Sequence, residues 1–239
     1  MAVQLWVSYW LGVGTPLFLI LEDREAQKGV SPFELAPDIE GRATQPFQDA
    51  ANQAYCQTVH TLGWPAHKSF VMSLKQIDDA YPLPRRLDGD SLFGGVAIGL
   101  AQAVARAEPD CLRYPARQLL ALFQGVCLTH VAVTAGCHPR TKGFAPVGCI
   151  RDKLDCFCQL DLTGRPAVCV VAAAQSLNGE DARCRKSAGE PDQPDGEPAV
   201  YTPHNGAGPL PLLAAYDAID AYLKLFERQS RFAARAFLT

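Results

Sequence analysis

No stripe of basic residues and no arginine-rich run occurs in this sequence, where 22 Lys and Arg stand against 25 Asp and Glu for a net charge of −3. Nucleic-acid surfaces need clustered cations to neutralise phosphates, so nucleic acid is not expected as a partner. A glycine-rich phosphate loop is also missing: "GDSLFGG" lacks the lysine and the spacing, and "GVGTP" is too short. The chain therefore carries no recognisable ATPase, and any hydrolysis it performs is expected to ignore ATP. None of the nine cysteines forms a C-x-x-C pair, which argues against a zinc site, and no metal or cofactor is expected. The opening run, "MAVQLWVSYWLGVGTPLFLI", is apolar but has no basic n-region, and "LEDREAQKG" follows where a signal peptide would show a small-residue cleavage site. Gly12, Gly14 and Pro16 break that run too often for a membrane-spanning helix. The expectation is a protein with no membrane association, cytoplasmic, its thiols reduced and most of its cysteines acting as small core hydrophobes.

What is present is the composition of an ordinary globular chain: 239 residues, 48% apolar and 20% charged, enough for one large domain. Strand and helix patterns interleave from end to end without an internal repeat, and predict a single α/β (α+β) domain over residues 1–239. The opening run reads as two buried strands joined by a Gly-Val-Gly turn. From Thr44 to Leu62, Phe47, Ala51, Ala54, Tyr55, Val59 and Leu62 recur at helical spacing, and Gly63 stops the helix. "KSFVMSLKQ" reads as a strand and "YPLPRRLDGD" as a loop. Helices follow over about 92–107 and over "YPARQLLALFQGV", then a strand in "HVAVTAG" and a turn-rich "CHPRTKGFAP". A helix starts near Cys149 or Ile150, "RPAVCVVAAA" is a strand, and residues 179–198 are a polar, mobile loop. "AVYTPHNGAG" is a last strand and turn, and "PLLAAYDAIDAYLKLFERQSRFAARAF" a closing helix.

Ser91 stands where one of these helices opens, behind Asp88, Gly89 and Asp90 and ahead of Gly94 and Gly95. A capping hydroxyl is the simplest role for it. As a nucleophile it would need a base. None of His60, His67, His130, His138 and His204 has a flanking motif that singles it out, and each reads as an ordinary core or surface histidine. A buried lysine is the alternative, because desolvation lowers an amine's pKa toward neutrality. Lys153 lies beside the apolar stripe of Ile150, Leu154 and Phe157, a position where periodicity by itself favours an exposed side chain.

Two segments taken together point to a family. "LDGDSLFGG" and "VAVTAG…GFAPVGCIRDKLDCF" resemble the proteolytic domain of Lon proteases, the Ser-Lys peptidases. That family has an (E/D)-G-(P/D)-S turn opening a helix, then a strand ending in Thr-Gly. A G-x-(V/L)-P-(V/I)-G-G-(V/L/I)-x-x-K-(L/I) segment follows. Asp88-Gly89-Asp90-Ser91 matches the first element and the stretch from Gly143 to Leu154 the last, in the family's order. The resemblance spans about residues 17–227, and these two short motifs carry it.

The resemblance implies mixed sheets with packed helices, in a topology like that of the second domain of a small-subunit ribosomal protein. It implies Ser91 as nucleophile, Lys153 as general base and Thr134 as the threonine that orients the lysine. Gly89, Asp90 and Leu92 then belong to the oxyanion and substrate-binding region, where a helix start offers N–H groups and a positive dipole end. The implied activity is a serine endopeptidase acting on unstructured or specifically presented protein or peptide segments. The unfoldase that normally precedes such a domain is absent from this sequence, which leaves room for a partner ATPase or regulatory domain and for a homo-oligomer.

Several positions depart from the family pattern. Leu92 and Phe93 replace small residues after the serine, Cys149 replaces the second glycine, and Cys137 stands where many members have Glu. The separation of Ser91 from Lys153 is 62 residues, longer than usual, with "EPDCLRYPARQLLALFQG" as an inserted helix. The alternative reading is a non-proteolytic scaffold or pseudo-protease, which Leu92 and Phe93 filling the pocket would favour.

Overall fold

The apolar runs that open the chain pair with each other. β1 (Ala2–Trp10) and β2 (Gly14–Glu25) form an antiparallel ladder from Ala2↔Glu22 to Trp10↔Gly14, as two strands of buried alternating side chains should. The computed structural model describes residues 2–10, 14–25, 31–65, 68–76, 83–162, 169–177, 199–202 and 210–236. The expected turn between the first two strands, the loop at 179–198, His67 and His204 lie outside the described residues, apart from Gly14 at the start of β2.

β2 continues antiparallel to β4 (Lys68–Gln76), with β3 (Phe33–Leu35) parallel to β4 at the edge. On its other side β1 runs parallel to β5 (Val131–Thr134), which runs parallel to β8 (Cys169–Ala173). β10 (Leu210–Ala215) lies parallel to β8, and β9 (Ala199–Tyr201) closes the row antiparallel. The mixed sheet thus has the order β3-β4-β2-β1-β5-β8-β10-β9, and β6 (Gly136–Cys137) with β7 (Phe144–Ala145) forms a separate ribbon. Interleaved helices and strands give the α/β class that the patterns predict. No helix among the described residues is long and apolar enough to cross a membrane.

Both faces of the sheet are covered, so its central strands read as continuous apolar runs. On one face Leu5, Val7, Val133 and Val171 pack with α2 (Gln45–Leu62), α3 (Phe93–Ala107) and α7 (Ala218–Ala236). On the other, Trp6, Ala132, Val170, Ala172 and Leu212 pack with Leu154, Phe157 and Cys158 of α5 (Ile150–Leu162). Small residues bring α3 close to the strands: a Cβ on Gly99 would stand 2.6 Å from Leu21 Cδ1. Three short helices, α1 (Pro37–Glu40), α4 (Leu120–Gly125) and α6 (Ala174–Leu177), complete the described set.

Several expectations are corrected. The closing helix does not begin in "PLLAA": Leu210–Ala215 is strand β10, and α7 starts at Ala218. A short apolar run fits a strand or a buried helix equally, and pairing to β8 and β9 decides it. The helix of "YPARQLLALFQGV" is a 3-10 turn over Ala116–Leu119 followed by α4. The last residue of "RPAVCVVAAA", Ala174, opens α6 after β8 ends at Ala173. Cys156, Cys158 and Cys169 are core residues as expected, but Cys56, Cys127 and Cys149 are exposed. An apolar neighbourhood in sequence does not place every side chain inward, because alternate positions face opposite sides.

Candidate active site

The turn that carries Ser91 is tied down by Asp88. Thr44 Oγ1 donates to Asp88 Oδ1 at 2.7 Å, the Gly89 N–H donates to the same oxygen at 2.9 Å, and Arg86 reaches Oδ2 at 3.2 Å. The hydrogen bond from Thr44, with that from Gly89, holds the Asp88 carboxyl below its usual range. Thr44 occupies the cap position of α2 yet makes no side-chain bond to its own helix. Backbone bonds from Leu87 N–H to Arg42 O and from Thr44 N–H to Leu87 O, both 2.8 Å, complete the tie. Gly89 adopts φ 84°, a left-handed conformation that favours glycine there. Sequence reading assigned no role to Asp88 or Thr44; Asp followed by Gly in a turn was the available signal for the first.

Ser91 does not cap α3. The helix begins at Phe93, Leu92 holds the cap position, and no side chain caps it. The Ser91 hydroxyl is half-buried and has no hydrogen bond among the described residues. The Phe93 N–H donates to Asp90 O and the Gly94 N–H to Ala135 O, each at 2.9 Å. The second bond pins the start of α3 just beyond the carboxyl end of β5. It also occupies a first-turn donor that the expected oxyanion site would use. The Asp90 and Ser91 N–H groups, by contrast, have no partner among the described residues. Leu92 is buried and lines a narrow crevice with Ser8, Phe47, Leu74 and Ser91. Phe93 is buried edge-on against Phe144.

Lys153 is only 7% exposed, contrary to the outward position that periodicity favours. The buried side of α5 runs through Lys153, Leu154, Phe157 and Cys158, so the lysine begins the stripe and does not merely flank it. Its Nζ has no hydrogen bond or ion pair among the described residues. Burial lowers its pKa below the ordinary lysine value; Cys149 and Asp90, acting electrostatically, oppose that shift.

Thr134 is buried, and its Oγ1 has no partner among the described residues. Two residues along β5 from Ala132, it shares the face that α5 covers. The β1–β5 register, Trp6↔Ala132 and Val7↔Val133, continued by one residue sets Ser8 beside it. Ser8 Oγ is likewise buried and without a partner among the described residues. Sequence reasoning missed Ser8, because nothing in a short strand motif marks which neighbour it will meet.

The turn that carries Ser91 and the start of α5 meet in a cleft of about 180 Å³. Asp88, Gly89, Asp90 and Ser91 line it together with Val147, Gly148, Cys149 and Lys153. Of the residues expected at the site, Ser91, Lys153, Gly89 and Asp90 come together here; Leu92 lines the adjoining crevice instead, and Thr134 lines neither. Among the described histidines, His60 and His130 are exposed, and His138 Nδ1 accepts the N–H groups of Arg140 and Thr141. None of the three lines the cleft.

Lys153 should make stability depend on pH. In the unfolded chain it titrates near 10.5, and in the folded chain lower. Between those two values the unfolded state binds more protons, so stability rises with pH through that window and the burial cost is full below it. Lys153→Met removes the group. The Met variant is expected to melt above the wild type at neutral pH, with a margin that narrows as pH approaches 10.5. Paired thermal melts across pH check this; a margin independent of pH would mean the amine is solvated.

The sequence matches no family model, and comparison with curated proteins likewise finds no match.

Proposed function

We propose that this chain is an ATP-independent serine peptidase with a Lon-like proteolytic fold, cutting unstructured or specifically presented protein segments. One observation carries the reading: Ser91 and the buried Lys153, unpartnered among the described residues, line the same cleft. In the proposed reaction the neutral Lys153 amine takes the Ser91 Oγ proton as Oγ attacks the peptide carbonyl. The Asp90 and Ser91 N–H groups offer hydrogen bonds to the resulting oxyanion. Lys153 then returns the proton to the leaving amine, and water repeats the sequence on the acyl-enzyme. Thr134 helps orient the amine. A cytoplasmic, reducing location belongs to the proposal. Partners would be the protein substrate and a separate ATPase or regulatory domain.

The test is incubation of the chain with denatured protein and proteome-derived peptides, wild type beside Ser91→Ala, with products read by mass spectrometry. Cleavage by the wild type alone supports the proposal, and its rate should be the same with and without ATP and magnesium. A rise of several-fold with ATP would overturn the ATP-independent part. The second reading, a non-proteolytic regulatory module, draws on one fact: no hydrogen bond joins Ser91 to Lys153 among the described residues. Apo dyads are often loose and tighten only around substrate. Equal, background-level products from both proteins would favour the module.

A further inference from the structure

Among the described residues Cys149 is the one cysteine that lines the cleft, and it is exposed. It immediately precedes α5 with φ 54°, in the left-handed region that a non-glycine residue seldom adopts. Lys153 follows it by four residues, and the Lys153 backbone N–H donates to Cys149 O at 3.2 Å. The two residues stand four apart in the chain, and both line the cleft. The amine is the second, independent feature: it is 7% exposed, has no hydrogen-bond or ion-pair partner among the described residues, and lines the same cleft. The sulfur also acts electrostatically on that amine. The other exposed thiols lack this setting: Cys56 lies on the open side of α2, and Cys127 Sγ shares a hydrogen bond with Thr129 Oγ1 at 3.1 Å.

We propose that Cys149 is a modification site at which Lys153 assists exchange with low-molecular-weight disulfides. The neutral amine takes the thiol proton, and the thiolate sulfur attacks one sulfur of the disulfide. A Cys149 mixed disulfide forms as the reagent's S–S bond breaks, and the departing thiolate recovers the proton from Lys153. One thiol and one disulfide give one mixed disulfide and one thiol. The adduct then stands in the cleft that Ser91 also lines, so it should block entry of a peptide. That consequence rests on the peptidase reading; the exchange itself does not.

The experiment treats the full chain with oxidised glutathione and follows adducts by peptide mass mapping. Cys149 is expected to react about tenfold or more faster than Cys56 and Cys127, with reversal by dithiothreitol. Lys153→Met, with Lys153→Gln as a second variant, should bring Cys149 down to the rate of the other two. Equal rates at the three exposed thiols in the wild type, or an undiminished Cys149 rate in both lysine variants, would overturn the proposal. Where cleavage is measurable, the adduct should suppress it about tenfold or more, while Cys149→Ser should keep its own rate through the treatment. A full adduct that leaves cleavage intact would overturn the blocking. If the untreated chain cleaves nothing, the peptidase reading alone falls, and the adduct rates still decide the exchange.

Discussion

Ser91→Ala and Lys153→Arg are each expected to lower peptide cleavage by roughly a thousandfold or more while the fold survives. The two substitutions remove different parts of one step. Alanine deletes the attacking oxygen. Arginine keeps a positive charge near the same place but cannot give up its proton in the accessible pH range. Because serine and lysine act as a unit, the double variant should be little worse than either single one. Roughly multiplicative losses would mean that the residues contribute separately, and would count against a dyad. Arg151→Ala is the control: the side chain lies near Lys153 in sequence, but it is exposed and does not line the cleft. Steady-state assays with a cleaved peptide, together with circular dichroism of each variant, check the set.

Phe157→Ala is expected to cost about 3–5 kcal/mol of stability. Phe157 is fully buried and packs α5 on the sheet among Trp6, Ala132, Val170 and Leu212. Truncation loses the transfer free energy of the ring and leaves a cavity between two layers that can close only in part. Lys153 sits one turn earlier on the same buried stripe, so a loosened α5 should also admit water to the amine. Urea denaturation reads the first effect. The second appears as a smaller dependence of stability on pH than in the wild type, at matched denaturant. A loss below about 1 kcal/mol would show that α5 is held mainly by other contacts.

Much of the frame is legible in the sequence. The helical spacing from Phe47 to Leu62, stopped at Gly63, corresponds to α2, whose cap Gly63 takes φ 57°. "KSFVMSLKQ" is β4, and the helix after the Asp-Gly-Asp-Ser turn starts at Phe93, one residue past the expected start. Helix α5 begins at Ile150, one of the two starts expected. Apolar periodicity records which side of an element is buried, and glycine marks where a turn is sterically allowed. Both signals are local, so they survive in a linear string.

The sequence by itself thus determined the type of most elements and singled out Ser91 and Lys153 as a pair worth joining. Only the tertiary structure decided that Leu210–Ala215 is a strand, because that depends on the edges offered by β8 and β9. It alone decided that Lys153 is buried, since a residue beside an apolar stripe goes in or out according to what the opposing layer leaves open. Thr44 holding Asp88 and Ser8 set beside Thr134 in register were equally invisible, each pair being distant in the chain. The cleft joins a turn at 88–91 to a turn at 147–149. Its shape depends on how both faces of one sheet are packed, and that information resides in non-local contacts and in no single segment.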